Sequence, residues 1–451
     1  MTAALDDAAS RRAAPGASLF GQSAGIERNF PPNLPNLGDA RACASGIAFR
    51  TIGGRLLSID RVRSTKMKHD RQIAILNMLV DLRERQQYQF MNNEILHLPL
   101  DIYSCQNIFE REIETLFSDY PLVAGHGDSV RKPGSYMLSD WKRQPYIVVR
   151  GHDGILRAFM NTCRHRGAPL IDTETDKSLH SFVCRYHGWT YGLDGTLQEI
   201  PREFAFPCLE KKDHGLKEIP VKESMGLVWV HPKSHGPFDP VDYLGTFAED
   251  VANFELGRYV RHKKITTEKK ANWKLLISFN LEAYHVPTLH KYTFEKGFRR
   301  GVLTYDTDGP HLRVLGGRSN LMESMDVPEK DRNILDYATV FYVMFPNTIL
   351  FVHTEYISMC KFFPVASDRT IWTHEFLYRP ECFTGEAGQK SLKNLFVYIN
   401  DVVYDSEDYT MAEKVQENLL NGVNENHMLG LEEGLIMVFQ DIVSNRTTAA
   451  A

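Results

Sequence analysis

The spacing of apolar positions changes several times along the chain, and each change marks a different kind of structure. Residues 1 to about 65 hold few apolar positions, and an Ala/Gly/Ser-rich start runs into Pro31-Pro32-Asn33-Leu34-Pro35-Asn36. Such a segment cannot bury enough surface to offset its conformational entropy, so a disordered or loosely docked tail is expected, with Met67 as an alternative chain start. From Lys68 to Gln87, residues Ile73, Leu76, Leu79, Val80 and Leu82 recur near helical spacing with charges opposite, which predicts an amphipathic helix packed on the main body. Asp101-Ile102-Tyr103 leads into another short amphipathic helix over Ile108 to Phe117.

After Tyr120 the pattern becomes that of strands. Tyr146–Arg150, Ile155–Phe159, Phe182–Val183 and Leu227–Val230 are short, rich in β-branched and aromatic residues, and separated by turns such as His152-Asp153-Gly154 and Leu193-Asp194-Gly195. This predicts a small all-β domain ending near Pro237 or Pro240. Beyond it, helices are expected over Asn272–Val286, Ser391–Leu420 and Glu433–Val443. Antiparallel strands are expected over Val314–Leu321, Ala338–Met344, Ile349–His353, Ile357–Phe363 and Thr370–Tyr378. The fold class read from this order is α+β: a small all-β domain followed by a larger antiparallel sheet flanked by helices. The expected division is 1–95 as an extension, 96–119 as a helix packing on the larger domain, 120–240 as the β domain and 241–451 as that larger domain.

Composition narrows the classes. A chain of 451 residues with 43% hydrophobic content suits two or three soluble domains. The most apolar helical stretch, Ile73 to Val80, is interrupted by Asn77 and is far too short for a bilayer. Asp6, Asp7, Arg11 and Arg12 interrupt the N-terminus, so no secretory signal is expected. A formal net charge of -5 predicts no general affinity for nucleic acid. Of seven cysteines, Cys43, Cys105, Cys208, Cys360 and Cys382 show no ligand-like spacing and read as free thiols of a cytoplasmic protein.

The other two sit in matching loops, Cys163-Arg-His165-Arg-Gly167 and Cys184-Arg-Tyr186-His187-Gly188-Trp189. Each supplies one thiolate and one imidazole. A Cys2His2 zinc finger places both cysteines before both histidines, whereas here the order alternates. Alternation suits a Rieske [2Fe–2S] centre, in which two histidines replace two cysteines on one iron. Cys163 and Cys184 would take one iron, His165 and His187 the other. A structural zinc or four unrelated residues is the competing reading, and the matching glycines, Tyr186 and Trp189 weigh against it.

A second constellation lies in Glu282-Ala-Tyr284-His285-Val-Pro287-Thr-Leu-His290. Five residues of regular helix turn by about 140°, too far for both histidines to share one metal. Pro287 should break the helix near Val286 and return His290 towards His285. Two imidazoles and a carboxylate form the facial triad of ferrous iron, with positions left open for dioxygen and substrate. Asp401, Asp405 and Asp408 lie along one expected helical stripe and are the candidates for the acid. With no GxGxxG loop before a helix and no Walker sequence, electrons must come from another protein.

These motifs resemble the α (oxygenase) subunit of Rieske non-haem iron aromatic-ring-hydroxylating oxygenases. The resemblance runs from about Leu98 to Val443. It rests on the two Cys/His loops, on Asn272-Trp-Lys-Leu with Glu282, His285 and His290, on Glu407-Asp408 with Glu413 and Val415-Gln416, and on Glu433-Gly434-Leu435 with Phe439. It favours Asp408 as the third iron ligand and implies a helix-grip catalytic domain. It further implies a homotrimer or an α3β3 assembly in which one subunit's cluster serves its neighbour's iron. A separate reductase, directly or through a ferredoxin, would bring electrons from NAD(P)H, and O2 would enter an aromatic or other hydrophobic small molecule.

Two departures shape the expectation. Ser278-Phe279-Asn280 stands where the family usually has Glu-Asn before the aromatic residue. Glu282 stands where ring dihydroxylases commonly have Asp, similar to members that monooxygenate or demethylate quaternary amines. Monooxygenation or N/O-demethylation of a methylated amine or ether is therefore the second expectation. A cationic substrate would call for an aromatic cage; Tyr342, Phe351 and Tyr356 belong to expected strands, where aromatic residues are common, and do not establish one. Glu282 is expected to join His285 to His187 of the neighbouring cluster. A pure Rieske electron carrier, the reading from a different class, would need neither His285, His290 nor Asp408.

Overall fold

The computed structural model describes residues 67–85, 94–175, 177–233, 236–293 and 297–449. The expected tail over residues 1–66 lies outside them. An antiparallel seven-stranded sheet forms the larger layer, in the order Val260–Lys269, Arg369–Tyr378, Tyr356–Ala366, Thr348–Val352, Ala338–Met344, His311–Arg318 and Phe298–Asp308. Its alternating side chains build two cores. Leu315, Val340, Tyr342, Leu350, Val352 and Met359 face the helix His69–Glu84, which contributes Ile75, Leu76, Leu79 and Val80. Val314, Phe341, Phe351, Cys360, Trp372 and Phe376 face the helices Gln106–Asp119, Trp273–Ser278, Gly385–Asn418 and Gly434–Ala449.

Two of these strands, Val260–Lys269 and Phe298–Asp308, are absent from the sequence reading. Both are edge strands, and the first, Val-Arg-His-Lys-Lys-Ile-Thr-Thr-Glu-Lys, is too charged to show an apolar alternation. Edges tolerate such sequences because charged side chains there deter pairing with other chains. Val314–Leu321 is corrected in register: the strand is His311–Arg318, and Leu321 begins a 3-10 turn.

The smaller β region spans three short sheets. Tyr136–Leu138, Tyr146–Arg150, Leu156–Met160 and Glu218–Ile219 form one. Phe182–Val183, Thr190–Tyr191 and Leu197–Glu199 form the second, and Val221–Ser224, Leu227–Val230 and Leu122–His126 the third. Gly154 and Gly195 take positive φ in the two turns read as hairpins. A buried charge cluster anchors this region to the large sheet. Lys361 lies 2.9 Å from Glu375 and 3.2 Å from Asp140, while Lys264 lies 2.9 Å from Asp140 and 3.2 Å from Glu174. Burial alone would raise the Glu375 carboxyl, but these lysines hold it down at about 2.

Two helices differ from expectation where it matters. The segment after Asn272, whose side chain caps the helix by accepting from Lys274 N–H, is helical only over Trp273–Ser278; a new short helix starts at Val286. Pro287 sits in the first turn of that second helix, where its missing N–H has no partner to lose, so it opens a helix rather than breaking the first one, which has already ended at Ser278. The long C-terminal helix is not regular either: Gly385–Val397 and Thr410–Asn418 are α-helical, and Tyr398–Tyr409 between them has π winding.

Candidate metal centres

The two Cys/His loops fold identically. Gly167 N–H donates to Cys163 carbonyl at 3.0 Å and Gly188 N–H to Cys184 carbonyl at 2.8 Å, and each cysteine N–H closes its loop on the residue after the glycine, Ala168 or Trp189. Gly167 and Gly188 have φ of +77° and +75°, conformations that side-chain-bearing residues rarely adopt. At Gly188 a Cβ would also stand 2.9 Å from Pro201. Covalent geometry therefore delivers each thiol and imidazole as a pair. Cys163 and Cys184 are buried, and the His165 and His187 rings lie 4.5 Å apart. Burial, then His187 and Arg166, keep His165 below its ordinary pKa, and its buried Nδ1 has no hydrogen-bond partner among the described residues. A neutral imidazole with an unused ring nitrogen, beside two thiols, has the donor chemistry of a cluster ligand. Tyr191 adds a contact the sequence did not reveal: its hydroxyl lies 3.3 Å from Cys163 Sγ and accepts from Arg164 N–H at 3.0 Å.

At the second site His285, His290 and Asp408 present one ligand atom each, all within 4.8 Å of one another. His290 Nδ1 is 2.8 Å from Glu407 Oε2 and His285 Nδ1 hydrogen-bonds Glu282 Oε1. Carboxylates only accept when ionised, so both Nδ1 atoms carry the proton. The Nε2 lone pairs of the neutral rings then point inwards. Asp408 Oδ1 lies 2.9 Å from His290 Nε2 and 3.5 Å from His285 Nε2, yet it is buried and makes no hydrogen bond of acceptable geometry. Two imidazole nitrogens and a carboxylate oxygen converging in this way form, once the rings are neutral, a cation site. The electrostatics show that positive charge is favoured here: burial opposes a charge on His290, but Asp408 and Glu407 outweigh it and raise its pKa to about 9, so that a metal ion binding at Nε2 takes the place of a proton.

The description "Rieske [2Fe-2S] domain" matches residues 121–210, and "Ring hydroxylating alpha subunit (catalytic domain)" matches residues 256–449. The chain belongs to this family of Rieske ring-hydroxylating α subunits. Both of the family's groups, the Rieske cluster and a mononuclear iron, meet donor sets of fitting chemistry here. Among curated relatives, the naphthalene 1,2-dioxygenase large oxygenase component of Pseudomonas aeruginosa is 34% identical over 207 residues, 44% of this chain and 45% of that protein. The chain thus spans just under half the length of that relative. The carnitine monooxygenase oxygenase subunit of Acinetobacter pittii is 25% identical over 361 residues, covering 77% of this chain and 93% of that protein. The crystal structure of a quaternary ammonium Rieske monooxygenase with L-carnitine shares the fold at a TM-score of 0.67 and 23% identity, over 79% of this chain and 97% of that one. Naphthalene 1,2-dioxygenase with indole shares it at 0.63 and 20%, over 79% and 94%.

Within this Rieske α subunit, the three candidate acids part company. Asp401 is exposed, Asp405 is half-exposed and pairs with Lys269, and only Asp408 is buried at 5% exposure. The single apolar-facing stripe expected for them assumed α winding; with i→i+5 winding the acids rotate onto different faces. Glu282 does contact His285, though through a turn in which its Oε2 also accepts Tyr284 and His285 N–H. The regular helix expected to align the pair is absent. Of the three strand aromatics named above, Tyr342 is on the other face of the sheet, bonded to Asp250. Phe351 and Tyr356 are on the metal side, with Phe351 6.1 Å from Tyr404. Glu407, the partner of His290, was quoted only as part of a motif; Thr293 also donates to it at 2.8 Å. Among the described residues no helix is long and apolar enough to cross a membrane.

Proposed function

We propose that this chain is the terminal oxygenase component of a multicomponent Rieske oxygenase, hydroxylating an aromatic or other hydrophobic small molecule with O2. The observation that carries the reading is the convergence of the His285, His290 and Asp408 lone pairs in a chain that also carries both Cys/His loops. A pure electron carrier has no use for that second cation site. Residues 120–240 would form the cluster domain, holding the [2Fe–2S] group through Cys163, Cys184, His165 and His187. Residues 241–451 would hold ferrous iron through His285, His290 and Asp408. The cluster supplies single electrons and the mononuclear iron an open coordination position for O2.

The protein's own residues orient these groups. Glu282 and Glu407 fix the tautomers of His285 and His290, so that neutral nitrogens face the metal. Trp189 stacks on His165 at 4.9 Å and holds its ring. His187, by contrast, is exposed beside an exposed Tyr186, and Arg166 and Arg185 give that tip positive charge. Tyr284, whose N–H donates to Glu282, is exposed beside the iron ligands. An exposed His187 and an exposed edge next to Glu282 suit a homotrimer or α3β3 assembly in which one subunit's His187 approaches its neighbour's Glu282. Electrons would come from NAD(P)H through a cytoplasmic reductase, with or without a ferredoxin.

A second reading, monooxygenation or demethylation of a methylated amine or ether, is favoured by one observation: the relative that spans most of this chain is named for carnitine. The decisive experiment is turnover under 18O2 with a surrogate reductase across arenes, aromatic acids and methylated amines, read by product mass. Labelled formaldehyde trapped beside an unlabelled demethylated product selects demethylation, one labelled oxygen retained in the product selects monohydroxylation, two select dihydroxylation, and no label in any product, formaldehyde included, refutes the oxygenase.

A further inference from the structure

We propose that the substrate carries a carboxylate, and that Arg318 receives it while His353 positions the guanidinium. The inference deepens the oxygenase reading and rests on it. Phe351 belongs to a strand with neighbours on both sides, and Leu350 and Val352 on the opposite face are fully buried, yet Phe351 remains half-exposed. In mid-sheet such a residue faces an internal space, here the one covered by the Asp408 helix through Tyr404. By alternation Arg318 stands on that same face as Val314 and Gly316, and Gly316 puts no side chain in front of it.

Arg318 is half-buried and makes no ion pair with a carboxylate among the described residues. Among the described residues its side chain donates to His353 Nδ1 at 2.8 Å. A guanidinium only donates, so that nitrogen must be the acceptor of a neutral imidazole. Burial, with Arg318 itself, keeps His353 uncharged. Tyr356 stacks on the imidazole at 4.2 Å and on Phe376 at 5.1 Å, which fixes the imidazole against the aromatic wall. The cation is thus aimed by a neutral support that leaves its charge uncompensated, as a bidentate carboxylate would require. The aromatic wall suits either an aryl ring or a methylated ammonium; aromatic acids and betaines share the carboxylate.

The test is calorimetric titration of the full chain, loaded with cluster and iron, with benzoate against benzamide, phenylacetate against phenylacetamide, and γ-butyrobetaine against its carboxamide. At least one carboxylate should bind about 10- to 100-fold more tightly than its amide, the range of a charge-assisted hydrogen bond. Which pair shows the preference separates aryl acids from betaines. Arg318→Gln should abolish the preference with cluster absorption unchanged, and Arg318→Lys should retain part of it. Equal binding within every pair, or a preference that survives Arg318→Gln, overturns the proposal. Oxygen uptake is scored separately. An Arg318-dependent preference without turnover of any compound would retain the subsite and remove the oxygenase reading. Turnover of a neutral arene indifferent to Arg318→Gln would do the reverse.

Discussion

The helix Trp273–Ser278, which leads towards the iron ligands, is anchored by one residue of the helix Gln106–Asp119, and removing that residue has a calculable consequence. Glu112 accepts from Lys274 Nζ at 2.5 Å and from Trp273 Nε1 at 2.9 Å, with both charged side chains no more than 2% exposed. Glu112→Ala leaves an ammonium in the core. Breaking such a buried pair costs about 3–5 kcal/mol, and the orphaned indole N–H adds about 1–3 kcal/mol. The lysine can escape by losing its proton, which limits the first part. With an ordinary pKa of 10.5, deprotonation at about pH 7.5 costs about 4 kcal/mol at about 1.4 kcal/mol per unit. The pH dependence follows from the sign. Burial already lowers the Lys274 pKa, with Glu112 opposing, so the unfolded chain binds more protons than the folded one below 10.5, and stability rises with pH in that window. Loss of Glu112 widens the window downwards. Apparent melting temperatures of variant and wild type, measured by fluorescence from pH 7 to 9, should therefore differ most at pH 7 and approach each other as pH rises. Mononuclear iron should be lost before the visible cluster spectrum changes, because the helix leads into His285. A melting difference that stays constant across pH would refute the argument, since it would mean that no buried ammonium is left uncompensated.

Asp408→Ala should remove the mononuclear iron and oxygenation while the reduced-cluster resonance persists; Asp405→Ala, which takes a half-exposed carboxylate from the buried Lys269 ammonium, should cost about 1–3 kcal/mol of stability and keep the iron. Metal analysis of the two variants checks this, and the reverse pattern would reassign the ligand. Glu282→Gln should retain both metals and slow product formation steeply, as measured by single-turnover quenching with the oligomeric state verified; near-normal turnover would leave Glu282 a packing residue. His311 and His374 are buried neutral with pKa values pushed down to about 4. Because the unfolded histidines protonate near 6.5, each removes up to about 1.4 kcal/mol of stability per pH unit as pH falls from 6.5 to 4. His311→Gln should flatten this acid slope in apparent melting temperature, and an unchanged slope would exclude His311 as its source.

Some of this protein was readable from sequence alone because its determinants are local. In each Cys/His loop the glycine with positive φ lies four residues from its cysteine, so the pairing of thiol with imidazole is set within one turn. The central strands are read with the same ease, since residues such as Val340 and Phe341 alternate between two apolar cores. Charged edge strands such as Val260–Lys269 escape that pattern, because an edge contributes one protected face and needs no continuous apolar run.

The choice of acid is of another kind. By spacing alone Asp401, Asp405 and Asp408 are equally available, and only the resemblance favours Asp408; in the fold the π winding of Tyr398–Tyr409 turns Asp408 away from the other two and buries it alone. That winding, the early end of the helix at Ser278 and the meeting of His290 with Glu407 across the fold all depend on packing between segments far apart in the chain. Arg318 likewise gains its meaning from His353, which follows a strand that is not its neighbour in the sheet. Local covalent geometry determined which side chains travel in pairs, whereas burial, which exists only after distant segments close on one another, decided which charges were left needing a metal or a substrate.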